Sequence, residues 1–413
     1  MPRQQKIKNQ KSKIENPPLP TPASLGYSMP AEWEPQDATW IAWPHGLEDW
    51  PEKTEVIPWV YAELVRHLAY GQRVHIFVQP SKQRHFAREV TSILRQANVN
   101  LAHVTLHTQP TDRVWTRDSG PIFLKKNKIA CDHQSRDRQG ATVRQYENGA
   151  SRSLTVAALN AKLAVADFKF NAWAKYDNSS LDDQLPTVIA DQLRLPHFVV
   201  FGENDAGEYQ RFVLEGGSID VNGKGPGGGC LLTTEECLLS KIQQRNPGFS
   251  RDRIEQTLRD YLGVTKILWL NRGIAGDIDT HGHVDDTARF VNPTTIVACA
   301  EPNRSDANHA PLRENLKRLK QMRDTRGKPF TIAEIPMPEP VHFNKQRLPA
   351  SYANFTIANV GVLVPVFNDP ADMIALKIFE QLFTDRPIIP IYSRDLVLGL
   401  GALHCITQQQ PSV

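Results

Sequence analysis

Long apolar stretches are missing from this 413-residue chain. The longest runs, such as Val360 to Phe367, are strand-sized and fall far short of the roughly 20 residues that a membrane-spanning helix needs. No membrane insertion is expected. Net charge is also scarce, a formal +3, and much of it sits in Arg3, Lys6, Lys8, Lys11 and Lys13, which implies no nucleic-acid partner. The opening MPRQQKIKNQKSKIE is basic but has no apolar core of the kind a secretion signal carries, so a cytoplasmic location is the expectation. Cysteine is sparse: the five residues at 131, 230, 237, 299 and 405 form no close-spaced metal or redox pair. Their odd number argues against a disulfide framework, and free thiols are expected. No glycine-rich phosphate loop opens a helix. The glycines between Gly223 and Gly229 end at a strand and read as a turn.

What is present suits a folded enzyme. Apolar residues make up 40% of the chain and charged residues 23%, ample for a buried core and too hydrophobic for disorder. Residues 1–28 combine lysines with PPLPTPAS and read as a flexible basic, proline-rich tail: a solvated extension, or a segment for an acidic partner. Residues 29–413 read as one catalytic domain. Within it a strand, an amphipathic helix and another strand recur: RVHIFVQ, Phe86 to Leu94, LAHVTLH; CLLTT, the Ile254/Leu258/Leu262 helix, VTKILWL; TTIVACA, the Leu312/Leu316/Leu319 helix, FTIAEI; GVLVPV, the Ile374/Ile378/Leu382 helix, PIIPIY. A weaker fifth copy runs from the Leu185 to Leu193 helix into HFVVF. Five such units favour a circular α/β arrangement over an open doubly wound sheet.

Unusual polar clusters fall after or between the repeats: RDSGP at 117–121, EGGSID at 215–220, HGHVDD at 281–286 and GALHCITQQQP at 401–411. A circular arrangement would let them converge on one pocket. Cys405, after a glycine-containing loop and beside His404, is either a presented nucleophile or a small buried apolar residue. His283 offers a base that could accept the thiol proton and return it to a leaving amine. Glu215 could orient that imidazole, or simply stabilise its turn. Asp118 and Asp285 would make the pocket anionic, which suits a guanidinium: planar, with five N–H donors for paired carboxylates. His281, His283, Asp285 and Asp286 can alternatively be read as metal ligands in an H-x-H-x-D pattern, or as structural turn residues. Trp33, Trp40, Trp43 and Trp50 suit core and pocket-wall packing better than a membrane belt or a base-stacking surface.

Taken in order, MPAEWEPQDATWIAWP, VWTRDSGPIF, LEGGSIDVNGKG, LLTTEECLL followed by RNP, GHVDDTARFV, LPASYANFTIAN and LHCITQQQP resemble the agmatine deiminase family, relatives of the porphyromonas-type peptidylarginine deiminases. The resemblance runs from Met29 to Pro411. It implies the pentein fold, an α/β-propeller of five ββαβ-like units about a pseudo-fivefold axis. It further implies Cys405 as nucleophile, His283 as general acid and base, Glu215 as the histidine's partner, Asp118 and Asp285 as the guanidinium grip, and Trp115 as a pocket wall. No metal or organic cofactor is implied. The implied substrate is the small cationic guanidine agmatine, hydrolysed through an amidino-cysteine to N-carbamoylputrescine and ammonia.

Departures from the family pattern bear on substrate and rate. GLG at 399–401 stands where glycines usually run, so Leu400 would be strained if that position needs a positive φ. Asp220 replaces a frequent histidine, Pro226 to Gly229 looks inserted, and FNAWAKYDNSS lacks the glycines common after the tryptophan. Deimination of free or peptidyl arginine, amidino transfer, and a catalytically silent binding pentein are the competing functions. A homo-oligomer is possible.

Overall fold

The computed structural model describes residues 20–46, 48–80, 85–126, 143–147, 150–154, 161–223 and 228–413. Most of the expected tail, Cys131 and the first part of the Pro226 to Gly229 segment lie outside them.

The first unit carries β1 (Gln36–Ala42), α1 (Ile57–Gly71), β2 (Arg73–Val78), α2 (His85–Gln96) and β3 (Val104–Thr108). The second has β4 (Ile122–Lys126), β5 (Leu163–Asp167), α3 (Leu185–Leu193) and β6 (His197–Val199). The third has β7 (Asp220–Val221), β8 (Cys230–Thr234), α4 (Arg251–Leu262) and β9 (Lys266–Leu270). The fourth has β10 (Ala288–Asn292), β11 (Thr295–Ala300), α5 (His309–Gln321) and β12 (Thr331–Pro336). The fifth has β13 (Thr356–Ala358), β14 (Gly361–Val366), α6 (Pro370–Leu382) and β15 (Ile388–Tyr392), and β16 (Gln408–Pro411) ends the chain's strands.

Each unit is the same small sheet: an antiparallel pair, a helix, and a third strand parallel to the second. In the first unit the antiparallel member comes from the far end of the chain. β16 pairs with β1, Trp40 opposite Gln408, and the Trp40 indole donates to Gln410 Oε1 at 3.0 Å. The two ends of the folded chain are thereby joined, and the arrangement closes. The copy read as RVHIFVQ, helix and LAHVTLH does form, as β2 and β3 in parallel, but it is an extra strand added to a unit whose repeat is β16, β1, α1 and β2. Sequence order hides that repeat because its first strand lies at the opposite end.

Local chemistry accounts for the elements. Parallel strands covered on both faces read as near-continuous apolar runs, and CLLTT in β8 is buried throughout. In α4, Ile254, Leu258 and Leu262 recur every four residues and are buried, each contributing about 1.5–3 kcal/mol. The same helix stops at Gly263, which takes the left-handed conformation that favours glycine. Asp369 opens α6 with a capping box, followed by Pro370.

Folded structure begins earlier than residue 29. Tyr27–Ser28 pairs with the edge of β4, and the Tyr27 ring is buried, with its hydroxyl donating to the Ala161 carbonyl at 2.6 Å. Tyr27 is the one large aromatic in an otherwise proline-rich stretch, and burying it draws residues 20–28 onto the domain. Trp40, Trp43 and Trp50 are buried, as expected of core and wall residues. Cys230, Cys237, Cys299 and Cys405 are buried free thiols. Among the described residues no helix is long and apolar enough to cross a membrane.

Candidate active site

One position recurs in all five units: the short turn leading into the first strand of each antiparallel pair. Asp118 precedes β4, Glu215 precedes β7, His283 and Asp285 precede β10, Asn354 precedes β13 and Cys405 precedes β16, each by two to five residues. These turns meet. A Cβ placed on Gly217 would stand 2.6 Å from His283 Nδ1, 2.8 Å from Asp118 Oδ1 and 3.0 Å from Asp285 Oδ2. Only a residue without a side chain allows three functional groups from two other units to converge there, which is why EGGS needs its second glycine.

The Cys405 thiol is buried, 3.8 Å from Asp285 Oδ2, and accepts a hydrogen bond from Asn354 Nδ2 at 3.1 Å. The Asn354 amide also donates to Asp286 Oδ1 at 3.0 Å, while its carbonyl oxygen accepts from the His404 backbone N–H at 3.0 Å. The turn carrying the thiol is thus tied to the fifth unit. Burial, then the carboxylates Asp285, Asp286 and Asp118, push the Cys405 thiol well above its ordinary pKa. Without a cation beside it, the thiol stays protonated.

His283 is enclosed by acids. Its Nδ1 lies 3.7 Å from Asp118 Oδ1 and 4.0 Å from Asp285 Oδ1, and its Nε2 lies 3.8 Å from Glu215 Oε2. All three separations exceed hydrogen-bond length, and both ring nitrogens lack a hydrogen-bond partner among the described residues. Burial opposes a charge on the ring, but Asp118, the Cys237 sulfur and Glu215 outweigh it, so the imidazole titrates well above its usual range. It is an imidazolium at neutral pH. Burial alone would raise Glu215, yet Arg245, whose Nε donates to Oε1 at 3.0 Å, and His283 bring it down to about 2.

Asp118 and Asp285 differ. Asp118 accepts from the Gly217 N–H at 3.0 Å and the Trp173 indole at 2.9 Å, but burial and the neighbouring Asp285 and Glu215, opposed by His283, raise it to about 6. Asp285 accepts from His404 Nδ1 at 2.7 Å, and this contact, with His283 and Arg289, overcomes burial and holds it below its ordinary value. Its other oxygen is buried without a hydrogen-bond partner among the described residues. That oxygen is a ready acceptor for an incoming N–H.

A buried ion network lies beneath. Arg289 reaches Glu32 and Asp220, its Nε donating to Asp220 Oδ1 at 3.1 Å, and donates to the Phe355 carbonyl at 2.9 Å. Glu32 also lies 3.4 Å from His404 Nε2, so the chain Arg289, Glu32, His404, Asp285 fixes the orientation of the last carboxylate. Burial raises Glu32, but Arg289, His404 and Arg117 hold it far below the carboxylate range.

Residues 28–411 match the family described as Porphyromonas-type peptidyl-arginine deiminase. An agmatine deiminase of Pseudomonas putida is 31% identical over 415 residues, covering 95% of this chain and 97% of that protein. The chain belongs to the Porphyromonas-type peptidyl-arginine deiminase family. Among solved structures, an agmatine deiminase of Enterococcus faecalis catalysing its reaction superposes with a TM-score of 0.76 at 28% identity, covering 95% of this chain and 98% of that one. An agmatine deiminase of C. jejuni with substrate bound gives a TM-score of 0.73 at 26% identity, over 94% and 96%. The fold is the pentein fold that the motifs imply.

Within this deiminase framework the six residues singled out from sequence, Cys405, His283, Glu215, Asp118, Asp285 and Trp115, gather in one place. Trp115 packs over Gly401, where a Cβ would approach its ring to 2.6 Å, and against Trp50 with ring centroids 5.7 Å apart. His281 does not join them: it reaches Ser240 Oγ at 3.1 Å and lines a separate surface cleft with Glu235 and Arg272. The H-x-H-x-D reading of a metal site fails on that geometry, since His281 lies outside the cluster in which His283 and Asp285 meet. Leu400 takes φ 69, the left-handed conformation anticipated for its position, and Ala172, Trp173 and Ala174 do the same with φ 48, 59 and 53. Strain of about 1–2 kcal/mol per residue is the ordinary cost of such backbone. At Trp173 it turns the indole N–H onto Asp118. Asp220, noted as a departure from the family pattern, pairs with Arg289. Sequence reasoning missed Asn354, Trp173, His404, Glu32 and Arg289. Asn354 had a signal, because it holds in the fifth unit the place that site residues hold in the other four.

Proposed function

We propose that this chain is an agmatine deiminase, a hydrolase that cleaves a guanidinium C–N bond, with the domain read from residue 29 to 413, extended by residues 20–28 that pack onto it, acting as one catalytic unit. The carrying observation is a buried Cys405 thiol 3.8 Å from Asp285, with Asp118 and His283 converging beside that carboxylate at Gly217. Two carboxylates suit a planar cation by charge-assisted hydrogen bonds. Agmatine is the substrate named for the relatives.

When the guanidinium enters, its positive charge offsets the carboxylates that keep Cys405 protonated, and the thiol proton leaves to solvent. The thiolate attacks the guanidinium carbon, forming a C–S bond and a neutral tetrahedral adduct. His283 protonates one amino group, ammonia departs with the C–N bonding pair, and an amidino-cysteine cation remains. The now neutral His283 takes a proton from water, whose oxygen adds to the same carbon. Collapse breaks the C–S bond as the new hydroxyl gives its proton to the departing sulfur, returning the Cys405 thiol and releasing N-carbamoylputrescine. Glu215 keeps the imidazole oriented and favours its charged form, and Trp115 walls the pocket. Free buried thiols agree with a reducing, cytoplasmic setting.

The test is product analysis: agmatine incubated with the chain and with Cys405→Ala. Stoichiometric ammonia and N-carbamoylputrescine from the first alone supports the reading. Ammonia from both, or from neither, overturns it.

A further inference from the structure

The motif LLTTEECLL has no part in the chemistry described so far, yet it ends beside the catalytic histidine. Thr234, the last residue of β8, caps the short helix Glu235–Leu239. Its hydroxyl accepts from the Cys237 backbone N–H at 3.1 Å and donates to the Gly282 carbonyl at 2.5 Å. Gly282 immediately precedes His283, so one hydroxyl ties the segment carrying Cys237 to the turn carrying the imidazole. Glu236 adds a second tie. Its Oε2 accepts from the Gly273 N–H at 2.8 Å, and a Cβ on the left-handed Gly282 would meet its side chain at 3.0 Å.

Cys237 Sγ, a carboxylate oxygen of Glu215 and a ring nitrogen of His283 all lie within 4.8 Å of one another, and all three residues are fully buried. Nε2 is the ring nitrogen on the Glu215 side, 3.8 Å from Oε2, whereas Nδ1 faces Asp118 and Asp285. Neither Nε2 nor Glu215 Oε2 has a hydrogen-bond partner among the described residues, although a buried polar atom left unpaired costs about 1–3 kcal/mol. Arg245 engages the other carboxylate oxygen, Oε1, at 3.0 Å, and also donates to the Gln243 and Thr280 carbonyls. Two unpartnered buried atoms and a thiol thus converge from three separate segments.

A thiolate, an imidazole and a carboxylate form a donor set that suits zinc, whereas magnesium and calcium favour oxygen alone. Nitrogen and oxygen ligands held tetrahedrally at about 2.0–2.2 Å stand about 3.3–3.6 Å apart. The 3.8 Å between Nε2 and Glu215 Oε2 lies within about half an ångström of that. Arg245 would hold the carboxylate from outside, as hydrogen-bonded partners of metal-binding carboxylates do. Charge favours a cation as well, since Glu215, Asp118 and Asp285 surround the ring and Arg245 alone opposes them at Glu215.

Resting for its consequence on the functional reading above, we propose that Glu215 Oε2, Cys237 Sγ and His283 Nε2 form a zinc site whose occupation switches the enzyme off. Binding replaces one proton on the imidazolium Nε2 and one on the Cys237 thiol, both released to solvent. The ring then carries a proton on Nδ1 alone. It could give that proton up only by becoming an imidazolate, so it no longer protonates the leaving amine. Asp118 and Asp285, on the Nδ1 side, and Cys405, 3.8 Å from Asp285, are left free. Zinc here lowers kcat without competing with agmatine, whereas zinc captured by Cys405 would compete.

The test uses the full chain, freed of metal by chelation, with the variants Cys237→Ser and Cys405→Ala. Cobalt(II), a spectroscopic stand-in for zinc, should give a thiolate-to-metal absorption band in the near ultraviolet at one ion per chain. The band should persist in Cys405→Ala, which keeps all three ligands, and vanish in Cys237→Ser. Zinc should displace the cobalt, and its affinity should fall more than about 100-fold in Cys237→Ser. During agmatine turnover by the unmodified chain, zinc should lower kcat more than about tenfold with KM little changed, as the loss of a general acid requires. No cobalt bound, a band lost in Cys405→Ala or kept in Cys237→Ser, or inhibition that excess agmatine relieves would overturn the proposal. The cobalt spectra need no turnover, so they stand apart from the deiminase reading, which a failure to release ammonia from agmatine in the absence of zinc would remove by itself.

Discussion

Replacing Trp173 with phenylalanine deletes one N–H and keeps a ring in the wall. The indole is one of two donors on Asp118, at 2.9 Å, and it opposes the burial that brings this carboxyl up to about 6. A hydrogen bond to a charged group contributes about 1.5–3 kcal/mol. At 1.36 kcal/mol per pH unit, its loss moves the Asp118 titration upward by about one to two pH units. Asp118 must be ionised to hold the guanidinium, and kcat/KM reports the free enzyme. At pH 7 the variant should therefore lose roughly two- to tenfold in kcat/KM for agmatine, and at pH 9 it should match the unmodified chain. Ammonia release at low substrate, from pH 5 to 9, reads this directly. The unmodified chain should steepen its decline below about pH 6, where Asp118 gains its proton. An acid limb that stays in place in the variant, or a deficit that persists at pH 9, would refute the assignment of that limb to Asp118.

Other substitutions separate the remaining parts. Asn354→Ala removes the donor to both Cys405 and Asp286 and should lower kcat about 10- to 100-fold with agmatine KM little changed, as steady-state kinetics would show. Burial and three carboxylates keep Cys405 protonated, so neutral iodoacetamide should alkylate it slowly at pH 7 and faster toward pH 9. The cationic 2-chloroacetamidine should react at pH 7 more than about tenfold faster; equal rates would argue against activation by the substrate's charge. Arg289→Met strands Glu32 and Asp220 in the interior and should cost about 3–5 kcal/mol, measured by denaturant unfolding.

The five-unit architecture is legible because each helix carries its own 3.6-residue period and each buried strand its own apolar run. The Leu185 to Leu193 helix, for example, appears with the bounds read from sequence. What pattern cannot give is pairing across the whole chain. The first unit takes β16 from the opposite end, and no local period announces that. The site shows the same division: Cys405, His283 and the acids stand in polar turns with distinctive composition, whereas Trp173 lies in an ordinary-looking stretch and enters the site through a left-handed backbone. Glu32 and Arg289 sit 257 residues apart and make sense only as a buried pair.

Covalent catalysis by Cys405 is the claim on which the rest depends, and it is tested most directly by acid-quenching the enzyme during turnover of agmatine and locating any adduct by peptide mass spectrometry. The account predicts one amidino group on the Cys405 peptide, formed with substrate, absent without it, and lost together with all turnover in Cys405→Ala. An adduct on another residue, or agmatine turnover surviving in Cys405→Ala, would contradict it.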